Sequence, residues 1–116
     1  MNTRQILFFE DTATIKKMQE RTPAYAPLFP DWSEHTTAMH QFTLWVSLEA
    51  YKDVGANLQH FQFDPEVTKM ARSTWSLPEE WDLKAQLVFG EVAEGGFPTD
   101  QKPKESTDKT VKVFGV

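Results

Sequence analysis

The 116-residue sequence has no cysteine, which removes disulfides and thiolate chemistry from consideration. It has no block of basic residues, and its formal net charge is -5, so a nucleic-acid partner is not expected. Long apolar runs are missing as well. The run Ile6–Phe9 (ILFF) is too short for a secretory leader or a membrane span, and no basic amphipathic helix is visible. No membrane partner is expected, and the expected location is the cytoplasm, together with the nucleus if the source is fungal. Glycine is scarce, and Gly95-Gly96 lies in a polar stretch rather than a phosphate-cradling loop. The three histidines, His35, His40 and His60, lack metal-ligand spacing; His35 and His40 are five apart and fall on different helical faces. Ser33 and Ser47 have no nucleophile-elbow context. Acidic residues are scattered singly. Residue chemistry alone therefore marks no acid–base pair, metal set or nucleophile.

Large rings are abundant instead. Four Trp and nine Phe in a chain with 40% hydrophobic residues argue against disorder. They also suggest more ring surface than one short domain can hide.

Along the chain, Ile6–Phe9 reads as a short buried strand. Asp11 caps a helix over Thr12–Arg21, which Pro23 stops. Residues 23–32 (PAYAPLFPDW) read as a ring-bearing loop. Ser33 or Thr36 is the expected cap of a long helix over Thr37–Lys52. Ala38, Met39, Phe42, Val46 and Ala50 give that helix one apolar stripe, while Leu44, Trp45 and Leu48 fall on its other sides. A helix apolar all round belongs in a core or an interface. Gly55 marks its end or the next turn. Asn57–Phe63 reads as a strand, and Asp64-Pro65-Glu66 starts a helix ending by Trp75. Leu83–Phe89 reads as a strand, residues 90–110 as a flexible surface loop, and Val111–Phe114 as a last short strand. The Lys109–Lys112 stretch (KTVK) either faces an anion or ends a solvated tail. The pattern is one α+β domain over residues 1–116.

Several words of the sequence, in order, resemble the nitroreductase family. WSEHTTAMHQFTLWVSLEA followed by VGANLQHF is similar to the fungal and bacterial branch named after a fatty-acid-repression mutant. In that branch a W-S-E-H-S segment precedes the core helix and an L-G-A-S-L-Q-H-Y-N segment follows it. ILFFED, EVTKMARSTWSLPEEWDLKAQLVFG and VKVFG resemble further segments, so the likeness runs over most of residues 6–115.

The resemblance implies a partial three-layer α/β/α sandwich whose long central helix packs in the core and against a second copy in a homodimer. It implies FMN as cofactor and hydride transfer from NAD(P)H to a small-molecule acceptor, a nitroaromatic or a quinone, with a link to the oxidative stress response. The cofactor would carry the redox step. Leu58, Gln59 and His60 match the segment beside the flavin ring, and Lys109 and Lys112 are candidates for its phosphate. No catalytic side chain and no metal ligand is implied. The family's N-terminal Ser-Arg-Arg type segment, which holds the FMN phosphate, has no counterpart here, so the chain resembles a C-terminal half. Thr110 stands where the branch has Arg, Asp53 where it often has Gly, and Gln62-Phe63 where it has Asn-Pro. A lysine does not reproduce an arginine fork at a phosphate. The alternative expectation is a non-catalytic dimerising or binding fragment. A third is a fragment that needs its missing half to fold.

Overall fold

The computed structural model describes residues 3–51, 53–96, 100 and 102–115. Local chemistry sets most element boundaries. Asp11 accepts from the backbone N–H groups of Ala13 (3.1 Å) and Thr14 (3.4 Å), and this cap turns strand β1 (Arg4–Asp11) directly into helix α1 (Thr12–Arg21). Thr12 ties that junction to a turn 68 residues further on: its N–H donates to the Glu80 carbonyl at 2.9 Å and its hydroxyl to the same oxygen at 2.7 Å. A 3-10 turn over Pro23–Leu28 leads into helix α2 (Phe29–Glu49). Strand β2 (Val54–Gln59) and helix α3 (Pro65–Trp75) follow, the latter capped by Asp64 and opened by proline. Strand β3 (Trp81–Glu91) completes the sheet, and helix α4 (Thr107–Thr110) is one turn in the tail.

The sheet is antiparallel in the order β1-β3-β2. The middle strand is thus the last in sequence, and Ala85 and Leu87 at its centre have no exposed surface. Pleat alternation sends Ile6, Phe8, Ala85, Leu87, Ala56 and Leu58 to one face, where Trp45 and Leu48 of α2 pack on them. Helix α1 lies beside α2. On the opposite face, Leu7, Leu83 and Gln86 meet Val67 and Ala71 of α3 across a gap of about 180 Å³. Helices on both faces make the expected three-layer arrangement.

One irregularity matters. Phe8 pairs with Ala85 but Phe9 pairs with Leu83, so Lys84 is an extra residue in β3. Such a bulge re-aims its side chain. Lys84 reaches Glu34 on α2 and lies 3.8 Å from Glu10 on β1, while Ser33 donates to Glu10. Just before the bulge, Asp82 binds Arg72 of α3 at 2.6 Å.

Several expectations need correction. The long helix starts at Phe29, inside the stretch read as a loop, because Pro30 sits in its first turn, where a missing N–H does no harm. Ser33 and Thr36 are not its caps. Ser33 reaches β1, and Thr36 bonds back to the Trp32 carbonyl at 2.9 Å within the helix. The helix ends at Glu49, and Lys52 lies outside the described residues. Gly55 belongs to β2, which spans Val54–Gln59 rather than Asn57–Phe63. Val111–Phe114 pairs with no strand and is exposed. In the 90–110 stretch Gly90 and Glu91 still belong to β3; the described residues from there to Ser106 have no regular secondary structure.

The sides of α2, apolar all round in sequence, have different surroundings. Ser33, Thr37, Trp45 and Leu48 are half-buried and Gln41 is the helix's one buried residue. This stripe at four-residue spacing looks at the sheet. The apolar stripe named above looks away: Met39 is 61% exposed and Phe42 64%.

Candidate functional site

Leu58 and Gln59 close strand β2 and His60 follows it, and period-two alternation splits them. Leu58 pairs with Leu87 and packs into the core on the α2 face. Gln59 pairs with Gln86 on the α3 face, and its amide donates to Asn57 Oδ1 at 2.6 Å. His60, just past the strand, returns to the α2 face, with Nε2 3.0 Å from Gln41 Oε1.

Two glutamines absent from the sequence reading complete the constellation. Gln41 is 7% exposed, and its amide nitrogen donates to Thr37 Oγ1 at 3.2 Å. Gln86 is 5% exposed, and its Oε1 accepts from the Phe61 backbone N–H at 3.1 Å. That bond holds the segment carrying His60 against the sheet. Among the described residues Gln86 Nε2 has no partner, nor has Trp45 Nε1. A buried donor without an acceptor is costly and calls for an explanation. One sequence signal was available for Gln41: it lies four residues from both Thr37 and Trp45, so the three share a helix face. Gln86 carried none, being a single amide in an apolar run.

Lys109 and Lys112 do not join this group. Lys109 pairs with Glu105 at 2.7 Å, and Lys112 donates to the Asp108 carbonyl at 2.7 Å. Both bonds are local to the exposed tail. Of the motif word at the start of α2, Ser33 and Glu34 form the anchor to β1 and β3, while His35 is exposed. Among the described residues no cluster of three or more His, Asp or Glu is able to hold a metal. Nor is any described helix long and apolar enough to cross a membrane.

The residues fit one end of a flavin and not the other. The heteroatom edge of an isoalloxazine takes amide donors and a histidine, and here Gln59 and Gln86 are cross-strand neighbours with an unpaired buried N–H. At the phosphate end, the two lysines are engaged elsewhere. The Lys109–Glu105 pair is 68% exposed on both sides, so it is a weak pair that an arriving dianion is able to displace.

No protein-family model matches the chain. Individual proteins do. Nitroreductase FRM2 of Saccharomyces cerevisiae is 38% identical over 85 residues, 73% of this chain and 42% of that protein. HBN1 of the same yeast is 36% identical over 88 residues, 76% of this chain and 43% of its own length. The solved nitroreductase CinD of Lactococcus lactis, in complex with nicotinic acid, matches 96% of this chain and 55% of its own, with TM-score 0.83 and 36% identity. A structure of CinD in complex with 4-nitrophenol matches equally well. The chain thus spans about half the length of the relatives it matches. Agreement in sequence and in backbone course places the chain in the nitroreductase family, as a partial member.

Proposed function

We propose that the chain serves an FMN-dependent oxidoreductase that transfers hydride from NAD(P)H to nitroaromatic or quinone acceptors and works as a cytoplasmic homodimer. The observation that carries this reading is the likeness to CinD, at 36% identity over 96% of the chain. The complex of CinD with 4-nitrophenol supports the acceptor class. A bound flavin supplies the redox chemistry. The chain's own part is to bind and orient it at the end of β2, where Gln59 offers an amide from the α3 face and His60 a ring nitrogen from the α2 face, with Leu58 holding that strand end to the core; Lys109 and Lys112 serve the phosphate by giving up their bonds to Glu105 and the Asp108 carbonyl.

A second reading has its own support. The lysines are paired within the tail, and the chain corresponds to less than half of its yeast relatives. On that reading it is a dimerising, non-catalytic unit.

One preparation separates the two. An oxidoreductase purifies yellow or takes up added FMN, and consumes NAD(P)H when 4-nitrophenol or a quinone is supplied. A colourless dimer that stays colourless with excess FMN and leaves NAD(P)H untouched supports the second reading and removes the first.

A further inference from the structure

Helix α2 presents Met39, Phe42 and Val46 to solvent, yet the one residue it buries is a glutamine. Burying an amide is unfavourable unless its hydrogen bonds are made inside. Both ends of Gln41 are engaged, Nε2 on Thr37 Oγ1 and Oε1 on His60 Nε2. We infer that Gln41 is a positioning residue: it fixes the His60 imidazole as the Nε2–H form, leaving Nδ1 as an open acceptor for a ligand N–H.

With the Gln41 nitrogen given to a hydroxyl oxygen, its carbonyl oxygen is an acceptor only. With the amide in this orientation, the atom facing it on neutral His60 carries the proton and the lone pair resides on Nδ1. His60 is itself exposed, so a solute has access to its ring. Thr37, Gln41 and His60 form one chain from the inward stripe of α2 to the end of β2. Such a chain preorganises the ring before any ligand arrives, which lowers the ordering cost of binding. The ligand class is a planar heterocycle with an N–H flanked by carbonyl oxygens. This deepens the flavin reading and rests on it for the identity of the ligand, but the state of the imidazole does not.

The test is NMR of the full chain, ¹⁵N-labelled at histidine, at about pH 8, where an ordinary imidazole is neutral. The native chain should show the His60 proton on Nε2, in slow enough exchange with water to be observed. Gln41→Met conserves volume, so it suits a packed site, and it should abolish that signal. Gln41→Glu keeps an acceptor and should restore it. Thr37→Val removes the group that orients the amide and should bring the Nδ1–H form into the mixture; it keeps the test alive should the methionine variant not fold. Finding the proton on Nδ1 in the native chain, or an unchanged signal in Gln41→Met, overturns the inference. FMN added to the same samples reports separately: a chain with the Nε2–H signal but no flavin binding overturns only the cofactor reading.

Discussion

Leu87 faces the α2 side from the middle strand, between Ile6 of β1 and Leu58 of β2, with no exposed surface. Side chains from all three strands and from α2 gather in the cluster around it. Leu87→Ala should therefore lie well inside the range of large-to-small core changes, about 2–5 kcal/mol. Urea unfolding of the purified chain measures it, and a loss under about 1 kcal/mol would show that the sheet core is not what holds the chain together. The same scale explains why Gln86 matters. Its oxygen fixes the Phe61 N–H, while its nitrogen is left unpaired, so this site keeps a polar group that the core alone would not choose.

At the scale of elements, the bulge at Lys84 does the joining. It turns one ammonium toward Glu34 of α2 and Glu10 of β1, while Asp82 beside it holds Arg72 of α3. Burial pulls the Lys84 pKa down, but the hydrogen bond to Glu34 and the charges of Glu10, Glu34 and Asp82 outweigh it, and the net shift is upward from 10.5. A raised folded-state pKa gives stability that is fully present below the unfolded value and lost as pH climbs through the folded one. The stability difference between the native chain and Lys84→Met should therefore stay flat through neutral pH and shrink only above about pH 10.5. Glu34 is 57% exposed, so a double-mutant cycle of Lys84→Met with Glu34→Gln should couple by only about 0.2–1 kcal/mol. A decline already at pH 8 would mean that another group titrates there.

Elements were legible in the sequence where a residue's own chemistry settles a boundary. Asp11 and Asp64-Pro65 mark the starts of α1 and α3, and both helices lie where those residues put them. The start of α2 was hidden because prolines and rings around Pro30 read as a loop, although proline is welcome in a first turn. The all-round apolarity of α2 was legible, but not which side meets the sheet: Phe42 and Met39 point away from it, and Thr37 and Gln41 point at it. The sequence words that resemble the family located Leu58, Gln59 and His60, but pairing across β3 is what brings Gln86 beside Gln59, and no local pattern encodes that register.

For the whole molecule, the surface is too large for its mass. The chain exposes 9542 Å², whereas a folded monomer of 13.4 kDa exposes about 6,500 Å². Its radius of gyration is 18.4 Å against about 13 Å for a compact domain of this length. The exposed tail accounts for part of this, and the outward stripe of α2 for another part. Exposed apolar area of this kind marks an interaction surface. In the proposed homodimer, two copies of α2 lie across a two-fold axis, so each copy's Phe42 and Val46 meet the same stripe on the other. Light scattering at micromolar concentration should then give twice the mass of the chain. Phe42→Glu sets two carboxylates into that contact, and as a change of an exposed side chain (64%) it leaves the sheet core untouched. It should return the mass to that of one chain and leave the far-ultraviolet circular dichroism unchanged. A native chain that is monomeric and still unfolds cooperatively would show that α2 does not need a second copy, and would remove the homodimer from the proposed function.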